Sequence, residues 1–193
     1  MTFISKDFYL QDAIHVAPQL LGIKINRELK NGKVISGIIV ETEAYMPDDP
    51  ACHASRGVTK RNAPMFEEGG ICYVYLIYGI YYCLNVVTGK KGSGQAVLIR
   101  ALELPSHETN RRAAAGPGKL CRHLAINKEQ NGLEFSKLNQ IWIEEGIPIL
   151  PADIQTSSRI GISKGIEMQW RFYIKNNSFV SKQYDTNNTK EIK

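Results

Sequence analysis

Residues 33–44 read KVISGIIVETEA, and the fold turns on them. Short-period alternation and a wealth of β-branched residues make this a strand rather than a helix. Alternation predicts Ile35, Gly37, Ile39, Glu41 and Glu43 on one face, with Val34, Ser36, Ile38, Val40 and Thr42 on the other. Two carboxylates are thereby expected beside isoleucines. Their α carbons should stand roughly 6.8 Å apart at about 3.4 Å per residue, within reach of one substrate. Apolar walls disfavour the charged carboxylate, and a like charge nearby can make one of a pair hold its proton, which suits a general acid or base. An exposed face with two solvated glutamates is the plainer reading of any isolated E-x-E.

Upstream, IKINREL at 23–29 is a partner strand, and Asn31-Gly32 predicts a tight hairpin in which both central residues take positive φ. Asp12 is expected to cap a helix burying Ala13, Ile14, Val16, Ala17, Leu20 and Leu21, with Gly22 as its stop and Pro18 as a kink or restart. Downstream, residues 44–68 have no sustained period and read as a long loop, packed and functional because it carries His53, Met65 and Phe66. CYVYLIY at 72–78 and YYCLNVV at 81–87 flank Gly79-Ile80, predicting an aromatic hairpin with a two-residue type II′ turn and Tyr78 at its tip. QAVLIRALEL at 95–104 is a further strand. A helix is expected from Ser106 through RRAAA to Gly116, and a second near Lys119. IWIEEGIPIL at 141–150 and MQWRFYI at 168–174 are strands of the same sheet, separated by a turn-rich SSRIGISKGI. From Lys182 the chain is polar and expected to fray.

The 193 residues are 43% hydrophobic and 22% charged, as in ordinary globular domains, which excludes collagen, coiled coil and wholesale disorder. A chain of this length buries roughly two thirds of its unfolded surface and needs no disulfide or metal staple. The net charge of +5 favours polyanionic partners without naming one. Cys52, Cys72, Cys83 and Cys121 form no C-x-x-C pair and read as reduced thiols of an intracellular protein. The N-terminus lacks the pattern of a signal peptide. The uncharged run Gly69–Gly89 holds five tyrosines, Asn85 and a central glycine, a poor membrane span.

Tyr73, Tyr75 and Ile77 should face one way along the hairpin arm, and Cys72, Val74, Leu76 and Tyr78 the other. Aromatic faces stack on nucleobases, and a side chain at a hairpin tip can wedge between base steps. For Tyr73, Tyr81 and Tyr82 cross-strand core packing is the preferred reading, since tyrosine is a frequent strand residue. His53 is a ligand, a base contact or a loop residue bonded to backbone. Arg56, Lys60 and Arg61, with Arg111, Arg112, Lys119 and Arg122 around the glycine turn, could form a phosphate-binding surface or a solvated one. G-P-G-K at 116–119 lacks the full P-loop pattern, so nucleotide triphosphate hydrolysis is unsupported.

In order along the chain stand V-E-T-E-A-Y at 40–45, H-A-S-R-G at 53–57, K-R-N-A-P-M-F at 60–66, Y-V-Y-L-I-Y-G at 73–79 and C-L-N-V-V at 83–87. They are followed by A-V-L-I-R-A-L-E at 96–103, G-P-G-K-L-C at 116–121, R-I-G-I at 159–162 and R-F-Y-I at 171–174. This set resembles the alkyladenine (3-methyladenine) DNA glycosylase family over nearly the whole chain. The resemblance implies that Glu43 activates water, that Tyr45, His53 and Tyr75 line a pocket for an extruded base, and that Tyr78 is the wedge in DNA. It further implies that Asn85 screens out the exocyclic amine of normal guanine, and that Arg100 and the main chain of Ile160 help hold the attacking water. Arg56, Lys60, Arg61 and Lys119 are the expected backbone contacts. Glu41 receives no catalytic role. Gly69-Gly70 replaces the family's usual Pro-Gly, which is expected to loosen the start of the hairpin.

The expected fold is α+β: a single domain over residues 1–182 with a curved, mainly antiparallel sheet, packed helices and a protruding DNA-inserting hairpin, followed by a frayed tail at 183–193. The expected function is excision of alkylated or damaged purines by hydrolysis of the N-glycosidic bond, leaving an abasic site. It implies damaged double-stranded DNA as partner and a monomer acting without metal or other cofactor. The expected location is the bacterial cytoplasm, at the nucleoid, or a eukaryotic nucleus. Two rival readings are a non-catalytic nucleic-acid-binding module and a carbohydrate hydrolase with Glu41 and Glu43 as its acid and base.

Overall fold

A computed structural model describes residues 4–182; the tail expected to fray lies outside them. A short helix α1 (Lys6–Tyr9) precedes α2 (Ala13–Gln19), and the chain then enters β1 (Lys24–Glu28) and the long β2 (Val34–Tyr45). Then follow β3 (Cys72–Ile77), β4 (Tyr81–Thr88), β5 (Gln95–Glu103), α3 (Pro117–His123), β6 (Ile141–Glu144), β7 (Ile154–Ser157) and β8 (Arg171–Ile174). The eight strands form one antiparallel sheet in the order β3-β4-β5-β2-β1-β6, with β8 joined to β2 and β7 to β8. The α+β expectation holds, and β2 is its axis: β5 runs along one edge, while β1 and then β8 share the other.

Alternation divides the sheet into two working faces. Cys72 and Val74 of β3, Leu84 and Val86 of β4, and Val97 and Ile99 of β5 join the main core against Ala13, Val16, Ala17 and Leu20 of α2 and Leu120, Cys121 and Leu124 of α3. Tyr73, Tyr75, Cys83, Asn85, Leu98 and Arg100 point the opposite way, into a cleft. Strict alternation fails in β2, where the register against β5 shifts between Ile39 and Glu41 and again between Glu41 and Thr42. A bulge puts two residues opposite one and reverses which face the following side chains take. Ile39 therefore belongs to the helix-side core. Val40 packs on the other face with Ala101, Tyr173, Phe179 and Val180, and Glu41 and Glu43 do not share a face with Ile35 and Ile39 as expected.

Other details also differ. The β1–β2 turn spans Lys30, Asn31 and Gly32, and only Gly32 has positive φ (78°); Leu29 accepts the Gly32 N–H and donates to the Lys33 carbonyl, the geometry of a three-residue loop. The aromatic hairpin turns on Tyr78 (φ 51°) and Gly79 (φ 71°), a type I′ pair rather than type II′ on Gly79-Ile80. No helix forms over 106–115: the Ala114 carbonyl accepts the Leu102 N–H and Ala115 bridges Ala101, so pairing to the edge of β5 overrides the helical preference of the alanine run. His107, expected on that helix, is in a turn. Pro18 lies one residue from the end of α2, where the helix stops instead of restarting. The start of the hairpin is tied down, since the N–H groups of Gly69 and Gly70 donate to the carbonyls of Gly89 and Val87. A Cβ at Gly69 would lie 2.2 Å from the Tyr9 carbonyl oxygen, so neither a side chain nor a proline fits there.

All four cysteines are free and buried, in keeping with reduced thiols. Burial pushes the Cys52 and Cys83 thiols up to about 11, and those of Cys72 and Cys121 further still. Among the described residues no helix is long and apolar enough to cross a membrane, and Gly69–Gly89 is occupied by β3 and β4.

Candidate active site

A cleft of about 460 Å³ opens on the sheet face away from the helices. Glu43 has no exposed surface and is held at both oxygens by three residues that line the cleft, Tyr45, Arg100 and Ile160. Its Oε1 accepts the Ile160 main-chain N–H at 2.7 Å, and its Oε2 accepts the Tyr45 hydroxyl at 2.9 Å and Arg100 Nη1 at 3.3 Å. Burial and then the Glu43 charge raise the Tyr45 hydroxyl well above its ordinary value, so it stays protonated as a donor. Burial works against the Arg100 guanidinium, but Glu43 and Glu41 outweigh it and hold the cation. A buried carboxylate fixed this way is a pre-positioned base and a stabiliser of nearby positive charge.

The outer walls are aromatic. Tyr73 and Tyr75 lie tilted at 35° with ring centres 5.2 Å apart, and His53, from a 3-10 turn at His53–Arg56, meets Tyr75 edge-on at 4.6 Å. His53 Nδ1 and the Tyr73 hydroxyl are hydrogen-bonded at 2.9 Å. Burial, with Arg61 nearby, lowers the imidazole below its ordinary range, so it is neutral near pH 7 and leaves Nε2 for a ligand in the cleft. Burial also pushes the Tyr73 hydroxyl up to about 12. The loop carrying His53 is packed as expected: Asn62 Nδ2 donates to the carbonyls of His53 and Gly57, and Met65 is buried beside Tyr73. Asn85 is buried and donates from Nδ2 to the Tyr73 carbonyl, beneath the aromatic pair.

Arg100, Ile160, Tyr45, His53, Tyr75 and Asn85 thus line the cleft, with Tyr78 at its mouth, 87% exposed, and Glu43 is bonded to the first three of them. Arg56, Lys60 and Lys119 are exposed outside it. Arg61 is braced on the hairpin instead, donating to the Leu76 carbonyl at 2.9 Å with its guanidinium 5.5 Å from the Tyr75 ring centre. Glu41, two residues from Glu43, turns out of the cleft and bonds Arg100, Arg171 and Ser181. Among the described residues no group of three His, Cys, Asp or Glu side chains could hold a metal ion.

Sequence reading missed four participants. Tyr73, assigned to packing, lines the cleft and fixes His53, and Cys83 lines it beside Tyr75. Arg159 is buried between the rings of Tyr45 and Trp170 (4.7 and 5.2 Å) and makes a two-pronged pair with Asp49, which ties the Ile160 loop to the segment after β2. The available signal was a single arginine heading each apolar tetrad, R-I-G-I and R-F-Y-I: both Arg159 and Arg171 are buried ion-pair residues.

A family model described as methylpurine-DNA glycosylase matches residues 7–178. A protein of Carboxydothermus hydrogenoformans named "Putative 3-methyladenine DNA glycosylase" is 45% identical over 190 residues, covering 93% of this chain and 99% of the relative. Proteins of the same name from Trichodesmium erythraeum and Ehrlichia chaffeensis are each 46% identical, covering 86% and 92% of this chain and 91% and 96% of those relatives.

Proposed function

The chain belongs to the methylpurine-DNA glycosylase family and is thereby a DNA-repair glycosylase, and we propose that it takes alkylated purines into the cleft and hydrolyses the bond from the base to C1′ of the sugar. The observation that carries this reading is Glu43, a buried carboxylate whose three fixed donors belong to residues that line an aromatic slot. As the base departs, C1′ gains oxocarbenium character, which the Glu43 charge stabilises while the same carboxylate takes a proton from the attacking water. Arg100 and the Ile160 main chain hold the carboxylate and the water in line. A cationic alkylated base leaves with the electron pair of the broken bond and needs little further help. Tyr45, His53 and Tyr75 enclose the extruded base, and Asn85 screens its edge.

Residues 1–182 form the catalytic unit, working as a monomer on damaged duplex in the cytoplasm. Arg56, Lys60, Arg61 and Lys119 contact its phosphates. The carbohydrate-hydrolase alternative loses its support because Glu41 is directed away from the cleft and saturated by donors. The deciding assay incubates the protein with duplexes containing 3-methyladenine, 7-methylguanine, hypoxanthine or ethenoadenine, then cleaves with alkali: strand scission at the lesion is expected, and binding without scission on all four refutes the enzymatic reading.

Two further results are expected. Tyr78 fills the gap left by the flipped nucleotide from the exposed tip, so Tyr78→Ser should reduce unstacking, read by a fluorescent base analogue at the target, about tenfold. Its melting temperature should hardly move, because the tip adds little to the core; unchanged flipping removes the wedge role. Affinity for duplex DNA should fall steeply as salt rises from about 50 to 200 mM, through release of counterions from the contacted phosphates. A flat anisotropy titration would contradict the backbone contacts.

A further inference from the structure

Beneath the cleft lies a second buried carboxylate with more partners than Glu43. Glu41 has no exposed surface; its Oε1 accepts Arg171 Nε at 2.7 Å, the Ser181 hydroxyl at 2.9 Å and Arg100 Nε at 3.1 Å, and its Oε2 accepts the Ser181 N–H at 2.7 Å. Arg100 is thus gripped from both sides, Nε by Glu41 and Nη1 by Glu43. Arg171 is also fully buried; it donates to the Ser157 hydroxyl and the Lys182 carbonyl and stacks 4.4 Å from the Tyr173 ring centre. Two arginines and two glutamates in one buried chain sum to zero charge. The register shifts between β2 and β5 at Ile39/Glu41 and Glu41/Thr42 bring the Glu41 and Arg100 side chains together on adjacent strands.

We infer that Glu41 is a positioning residue for excision, and that with Arg171 it sets the charge Arg100 presents to Glu43. The inference rests on the proposed role of Glu43 as base. A buried guanidinium divides its field between two carboxylates. With Glu41 present, Arg100 is shared between the two carboxylates; with Glu41 gone, its full cationic charge falls on Glu43. The other charged or titratable groups facing Glu43 are Tyr45 on its own strand, Tyr75 on β3, Cys83 on β4 and Arg159 from the 158–168 loop. Glu41 is faced by Arg100 and Arg171, with Tyr173 of β8 opposite it in register.

The test is the pH profile of single-turnover excision. Glu43 acts only as a carboxylate, so the rate falls on the acid side. Glu41→Gln removes a negative charge, favours the Glu43 anion and should move the acid limb to lower pH by about one unit. Arg171→Gln removes a positive charge and should move it to higher pH by about as much. Both should lower the plateau rate by roughly 10- to 100-fold through misaimed Arg100, with affinity for lesion duplex unchanged. Glu41→Asp keeps the charge and should leave the limb in place. The double variant Glu41→Gln/Arg171→Gln is neutral like the wild type, should return the limb, and serves if either single variant fails to fold. Limbs that stay put in both single variants, shift together, or fail to return in the double variant overturn the inference. Absence of excision by the wild type on every lesion instead overturns the reading of Glu43 on which it rests.

Discussion

Glu43→Gln should bind lesion duplex as tightly as the wild type and release the base about 10²- to 10⁴-fold more slowly, the span removed with a general base. Glutamine keeps the length and one acceptor, so the 2.7 Å bond from the Ile160 N–H survives. Its amide nitrogen donates where the carboxylate accepted, so it cannot serve both the Tyr45 hydroxyl and Arg100 Nη1, and no charge remains to oppose the developing cation at C1′. Single-turnover release from a hypoxanthine duplex, paired with anisotropy on the same duplex, separates chemistry from binding. Release within threefold of wild type would place the base elsewhere.

Asp49→Ala should be the most destabilising change outside the core. Asp49 and Arg159 are both buried, and Arg159 also donates to the Ala44 carbonyl at 3.0 Å between two aromatic rings. Removing one partner of a buried pair strands the other charge and costs about 3–5 kcal/mol. For a domain of this size that corresponds to a fall of roughly 10 °C in melting temperature. The excision rate should fall as well, because the pair ties down the loop that brings the Ile160 N–H to Glu43. Adding Arg159→Met to Asp49→Ala should recover part of the stability, since no charge is then left buried. A single variant melting within 2 °C of wild type would show that the pair contributes nothing net.

Much of this site was legible because strand alternation is a local rule. Tyr73, Tyr75 and Ile77, assigned to one face of the hairpin arm, all line the cleft, and Tyr78, assigned to the other, joins them from the turn. The two carboxylates were also found from spacing, but on the wrong face relative to Ile39. A bulge depends on how β2 meets β5, and no residue in either strand announces it. The helix expected over Ser106–Ala115 failed for a similar reason: the alanines satisfy a neighbour's backbone instead of their own. Tyr78 was placed at the tip although its positive φ was unforeseen, since that conformation is rare in residues other than glycine. Asp49 and Arg159 are 110 positions apart, beyond any local pattern.

The state of the four cysteines bears on survival under the chemistry this family answers. Methylating electrophiles attack thiolates as readily as purine nitrogens, and a repair enzyme works while they are present. A thiol at about 11 is ionised to roughly one part in 10⁴ at neutral pH, and none of the four is at the surface. Even for Cys83, on the wall of the cleft, burial outweighs the opposing pull of Tyr75 and Arg100 and keeps the thiol protonated. The catalyst is thereby armoured against the agents whose lesions it removes.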